Sequence, residues 1–272
     1  MTTKLIFLIT LLALSTTSFA VITRHDKPKE QFLLSSQPDY LVDLPYEGHG
    51  VLIDASWVLT VAHTIFEDYR GVKIKIGGQD YEIQQVVLHP GYQNVPKELV
   101  QGHSEKLMAF QLANKDIALI KLSSPVTVVK PIQLYDKKDE INKVFQFSGK
   151  GATGTGLTGD IKTTKQDKIL RRGENKVTKS GNQWLVYQFD RPDAEFSAAL
   201  PLEAMQGSGD SGAPAIVEID GQQYVIGLMS WQYWLGEISE FKSGLYQRQA
   251  YASRVSFYIP WIKNVMENAP SK

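Results

Sequence analysis

The chain has 272 residues, no cysteine, and 29 basic side chains against 29 acidic ones. The even charge balance leaves no electrostatic footprint for nucleic acid. Without cysteine, neither disulfides nor thiolate metal sites are available, and the five histidines, at 25, 49, 63, 89 and 103, lack close ligand spacing, so no metal or cofactor is expected.

The chain opens with Lys4, an apolar run from Leu5 to Leu14, and Ser18-Phe19-Ala20. Charged start, short apolar run and small-x-small end make residues 1–20 a secretory signal cleaved after Ala20. The run is too short to cross a bilayer. The mature chain is therefore expected to be secreted or periplasmic, free of the membrane, and a monomer. About 250 remaining residues are enough to bury a large core without covalent staples.

Beyond the signal, short apolar runs alternate with turn residues, which reads as all-β. Residues 50–53 and 57–61 are expected to pair across Asp54-Ala55-Ser56. Lys73-Ile74-Lys75-Ile76 alternates polar and apolar, turns at Gly77-Gly78, and returns as a strand over 81–88. Residues 117–122 make another strand, and the proline-containing stretch 123–131 reads as a linker. The style then repeats at 143–147, 184–189, 213–218 and 224–231.

Gly154-Thr155-Gly156-Leu157-Thr158-Gly159 matches G-x-G-x-x-G, but the polar Asp160-Ile161-Lys162-Thr163-Thr164 does not open an apolar helix. A flexible glycine-rich surface loop is expected there. At the end, Val255, Tyr258, Ile259, Ile262, Val265 and Met266 recur at helical spacing. Pro260 is expected to limit that helix to a start near itself.

The chemistry concentrates in Gly209-Asp210-Ser211-Gly212-Ala213-Pro214. Glycines flanking a serine allow a sharp turn that aims backbone N–H groups at one spot. A serine hydroxyl needs a base to become nucleophilic. Thr60-Val61-Ala62-His63 offers that base, and Asp116-Ile117-Ala118-Leu119-Ile120 offers an acid to orient it. No histidine follows Ser211, so the Ser, acid, His order of α/β-hydrolases is excluded. Asp43 and Asp54 precede His63, so order alone leaves the subtilisin arrangement open.

These three stretches, in the order His63, Asp116, Ser211, resemble the trypsin/chymotrypsin family of serine peptidases, in a cysteine-free bacterial form. His89-Pro90-Gly91-Tyr92, Lys130-Pro131-Ile132-Gln133-Leu134, Ser230-Trp231 and the run from Ser253 to Ile262 add to the resemblance. It implies two six-stranded antiparallel β-barrels with a C-terminal helix. Residues 21–131 would form the first barrel, and 132–272 the second barrel with the helix. It also implies a Ser-His-Asp triad acting through an acyl-enzyme on polypeptide substrates. Ser211 would be the nucleophile, His63 the base and Asp116 its orienting acid, with the N–H groups of Gly209 and Ser211 as the oxyanion hole.

By the same resemblance, Ser230 and Trp231 pair with the substrate backbone. Met205 lies at the base of the pocket for the residue before the cut, Gln206 adds a neutral polar group, and Gln232 narrows the entrance. Met205 cannot compensate a buried cation, so a small-to-medium uncharged residue is expected before the cut rather than Arg or Lys. A new N-terminus at Val21, folded inward, would pair with Asp210. The competing reading is a catalytically weak binding module built on a peptidase fold. Retention of all three triad residues argues against it.

Overall fold

The computed structural model describes residues 21–161 and 168–269. Residues 1–20, where the sequence leads one to expect a signal, lie outside the described residues.

The first sheet takes its strands in the order Leu41–Asp43, His49–Asp54, Trp57–Thr60, Ala118–Leu122, Gln79–Leu88, Lys73–Ile76. All of its pairings are antiparallel. The outermost strand curls back against the first, so this barrel is nearly closed. The alternation in Lys73–Ile76 is realised: both lysines are exposed and both isoleucines buried. Ile74, Ile76, Leu52, Val58 and Ile120 fill the interior.

The second barrel closes fully. Pro214–Ile219, Val144–Gly149, Arg171–Ser180, Trp184–Gln188, Gln249–Arg254 and Gln222–Gln232 follow one another, and the last pairs back to the first. The two-residue strand Gln133–Leu134 joins Gln222–Gln232 in parallel. Closure of this kind leaves few strand edges open to other chains.

The N-terminal segment does not lie with the first barrel. Val21–Thr23 pairs in parallel with Thr153–Thr155 and antiparallel with Ala204–Met205, both from the second half. Val21 and Ile22 are fully buried there. The Gly154–Gly159 stretch is also not a loose loop. It forms a hairpin between Thr153–Thr155 and Gly159–Ile161, pinned by bonds between Thr155 and Thr158. Its glycines serve packing: a Cβ on Gly154 would stand 1.8 Å from the Gly159 carbonyl oxygen.

Two α-helices occur among the described residues. The C-terminal one, Val255–Asn268, begins five residues before Pro260 rather than at it. Burial decides this. Val255, Tyr258 and Ile262 pack on Val51, Trp57 and Leu59 of the first barrel, and that contact outweighs the single backbone bond that proline removes. Glu140 helps hold the helix start, accepting two bonds from Arg254 and one from Ser256 Oγ. The second helix, Glu105–Ala113, is absent from the sequence reading and becomes a wall of the cleft.

Candidate active site

Three separate elements meet at one line of hydrogen bonds. His63 sits in a single 3-10 turn, Ala62–Thr64, directly after the buried strand Trp57–Thr60. Asp116 precedes Ala118–Leu122, which pairs with that same strand, Thr60 opposite Ala118. The register therefore places the base and its acid side by side. Asp116 Oδ1 accepts the His63 backbone N–H at 2.9 Å, and Asp116 Oδ2 lies 2.6 Å from His63 Nδ1. On the other side of the ring, His63 Nε2 is 2.8 Å from Ser211 Oγ.

Asp116 is held from further directions, at its side chain and at its backbone. Ser230 Oγ donates to Asp116 Oδ2, and Ser253 Oγ donates to the Asp116 carbonyl. Asp116 is only 4% exposed. Burial pushes its pKa up, but the His63 charge and the bonds from His63 and Ser230 outweigh burial and hold it below the usual value. For His63, burial pulls the pKa down, yet the Asp116 charge and hydrogen bond more than offset it, so the imidazole titrates above its ordinary 6.5. The His63 side chain keeps 37% of its surface open toward the cleft, where a substrate would reach it.

The nucleophile turn is set by close approach. Gly212 has φ +79°, and a Cβ there would stand 2.0 Å from the His49 carbonyl oxygen and 2.5 Å from Thr60 Oγ. The Ser211 carbonyl accepts the His49 N–H at 2.8 Å, tying this turn to the first barrel. Gly209 also takes a positive φ, +93°. Among the described residues, the backbone N–H groups of Gly209 and Ser211 donate to nothing, so both are free for a ligand oxygen.

Asp210 points the other way and is fully buried. Its oxygens accept the N–H groups of Gly151 and Gly207 at 2.8 and 2.9 Å. His49 Nε2 stands 3.9 Å away. Burial raises the Asp210 pKa to about 6, because His49 and two N–H groups compensate the charge only in part.

Beside Ser211 opens a pocket of about 280 Å³. Gln206, Ser230, Trp231 and Gln232, all assigned to substrate binding from sequence, line it. Met205 does not. Its side chain is fully buried in the second barrel's core, and its backbone pairs with Ile22. Strand alternation turns Met205 away from the pocket and leaves Gln206 at the lining. The Tyr187 hydroxyl donates to Gln206 Oε1 and lies 2.9 Å from Met229 Sδ, while Gln206 Nε2 has no partner among the described residues.

The sequence reading missed the opposite wall. Ser104, Leu107, Met108 and Gln111 come from the Glu105–Ala113 helix and its approach. The signal was present: Glu-Lys-Leu-Met-Ala-Phe-Gln-Leu-Ala is built almost wholly of good helix formers. It lacks an apolar stripe because the helix lies over a cleft instead of a core. The sequence reading also missed the holding of Asp116 by Ser230 and Ser253. Nothing in sequence marks a serine as a carboxylate's donor.

Comparison with known proteins follows the same outline. The family model described as Trypsin matches residues 34–262. Vitamin K-dependent protein C of Oryctolagus cuniculus is 24% identical over 266 residues, covering 90% of this chain and 50% of its own length. The Rattus norvegicus protein of the same name is 25% identical, covering 87% of this chain and 48% of its own. The chain thus spans about half the length of these curated relatives. Among solved structures, neuropsin, a serine protease expressed in the limbic system of mouse brain, superposes with a TM-score of 0.60. That match is 21% identical and covers 90% of this chain and 98% of the other, a likeness of fold.

Proposed function

Because the chain belongs to the trypsin family and carries Ser211, His63 and Asp116 in one hydrogen-bonded line, we propose that it is a serine endopeptidase. The carrying observation is the pair of contacts on the His63 ring, one to the nucleophile and one to the buried acid. His63 Nε2 takes the Ser211 proton as Oγ attacks a peptide carbonyl. The oxyanion that forms lies against the N–H groups of Gly209 and Ser211, where one donor is worth about 3–4 kcal/mol. Asp116 keeps the Nδ1 proton in place and stabilises the imidazolium. The protonated ring then releases the amine, an acyl-enzyme remains on Ser211, and water frees it by the same route in reverse.

The residue before the cut enters beside Gln206 and is small to medium and uncharged. Among the described residues, no carboxylate lines that pocket to pair with Arg or Lys. The reading of residues 1–20 as a signal makes this a secreted or periplasmic enzyme. Cleavage after Ala20 would leave an ammonium at Val21, which begins a fully buried strand. That ammonium would give Asp210 a cation where, among the described residues, it has only His49 at 3.9 Å, and pairing the two would order the turn that carries Gly209.

The test is labelling with a fluorophosphonate together with peptide hydrolysis. Label on Ser211, and its loss along with hydrolysis in Ser211→Ala, is the expected result. A folded protein that takes no label is a peptidase-like binding module instead. For activation, protein beginning at Val21 is compared with protein bearing one extra residue. Equal rates from the two would refute the pairing with Asp210.

A further inference from the structure

One buried acid is used by neither the triad nor the pocket. Asp160 lies in the strand Gly159–Ile161 and is only 8% exposed. Its backbone is fixed, since the Asp160 N–H donates to the Ser243 carbonyl at 2.8 Å. Among the described residues its carboxylate enters no ion pair, and Oδ1 is buried without a partner. A carboxylate oxygen left in that state is costly to bury. All of the side chain's bonds run through Oδ2, and both go to one residue. Oδ2 accepts the Ser208 N–H at 3.3 Å and the Ser208 hydroxyl at 2.6 Å.

Ser208 lines the cleft and immediately precedes Gly209. Glycines flank it on both sides, and Gly209 takes a φ of +93°. Glycine backbone rotates at little steric cost, so the peptide group between Ser208 and Gly209 turns over easily unless it is held. Two residues hold it. The Ser208 carbonyl accepts the Ala152 N–H at 2.6 Å, and Asp160 grips Ser208 at its N–H and its hydroxyl. In a planar trans peptide the N–H points opposite to the carbonyl. Fixing the Ser208 carbonyl at Ala152 therefore turns the Gly209 N–H to the other side, where it donates to nothing among the described residues. Close contact supports the arrangement. A Cβ on Gly207 would stand 2.3 Å from the Ala152 carbonyl oxygen, and one on Gly151 would stand 2.6 Å from the Ser208 carbonyl oxygen.

We propose that Asp160 is a positioning residue for the oxyanion hole. Acting through Ser208, its carboxylate keeps the Ser208–Gly209 peptide group in the one orientation that offers the Gly209 N–H to a substrate oxygen. This rests on the peptidase reading. A negative charge near a developing oxyanion is unfavourable in itself, so Asp160 acts as an acceptor and not as a charge. An amide in its place keeps that function. Its oxygen takes the two Ser208 bonds, and its NH₂ replaces Oδ1, where no bond is broken.

The experiment compares Asp160→Ala, Asp160→Asn and Ser208→Ala with the parent in steady-state hydrolysis of one peptide. A peptide aldehyde, whose hemiacetal oxygen occupies the oxyanion position, is titrated as inhibitor, and each protein is melted. Asp160→Ala should lower kcat roughly 10- to 100-fold with little change in KM, and weaken the aldehyde by a similar factor. Asp160→Asn should stay within about threefold of the parent in both. Ser208→Ala loses the hydroxyl bond but keeps the N–H bond, so kcat should fall about 3- to 10-fold. Its side chain is exposed, which guards against an Asp160→Ala protein that fails to fold. Parent-like kcat in Ser208→Ala and in folded Asp160→Ala, a loss confined to KM, or an Asp160→Asn as impaired as Asp160→Ala overturns this inference alone, provided that the parent's Ser211 takes a fluorophosphonate. A parent that takes no label overturns the peptidase reading and this inference with it.

Discussion

Asp116→Asn tests the geometry most directly. The carboxylate receives three donors: the His63 backbone N–H on Oδ1, and His63 Nδ1 and Ser230 Oγ on Oδ2. An amide has one oxygen to offer. If that oxygen faces Nδ1, the NH₂ group faces the His63 backbone N–H, donor against donor. If the amide turns round, its NH₂ faces Nδ1, which must then accept. The ring proton moves to Nε2, and Nε2 can no longer take the Ser211 proton. The second arrangement relieves the clash with the His63 backbone N–H, so the wrong tautomer is favoured. Loss of the right tautomer in such a triad costs about 10⁴ in kcat, or about 5.4 kcal/mol in the barrier. The buried site also loses an ionic acceptor, which lowers stability by about 1–3 kcal/mol. The assay is steady-state peptide hydrolysis near pH 8 with a thermal melt on the same preparation. A folded variant with kcat within tenfold of the parent would refute the claim that Asp116 sets the His63 tautomer.

The pH profile carries a related prediction. His63 works only when neutral, and its pKa lies above 6.5, so kcat/KM should rise with pH through a midpoint above 6.5. A midpoint below 6.5 would mean that burial prevails over the Asp116 charge. Glu140→Ala should cost about 3–5 kcal/mol in chemical denaturation, because it leaves the Arg254 guanidinium with only the Gly181 carbonyl and no counter-charge, and removes the acceptor of Ser256 Oγ, in a buried site. A loss under about 1 kcal/mol would show that water satisfies that arginine. Gly212→Ala should abolish hydrolysis and lower the melting temperature, since the Cβ collides with the His49 carbonyl. Parent-like activity would mean that the nucleophile turn can shift without consequence.

The positions of the chemical groups were legible in the chain itself. Ser211 stood between glycines, and His63 and Asp116 each flanked an apolar run that had to be a strand. Strand alternation likewise announced Lys73–Ile76, and an apolar stripe announced the terminal helix, because these are periodicities of the backbone and need no partner. What faces a cavity has no such period. Met205 and Gln206 are neighbours, and only the pairing of Ala204–Met205 with Val21–Thr23 turned the first into the core and the second toward the pocket. The start of the terminal helix ahead of Pro260 was decided by burial on the first barrel. The Glu105–Ala113 helix exists as a wall because Ser104, at its start, donates to the Trp234 carbonyl while Gln183 and Trp184 donate to its Leu112 carbonyl, partners distant in sequence. Local chemistry and period are written along the chain, whereas which side of a strand meets solvent, core or substrate depends on contacts that only the closed barrels bring together.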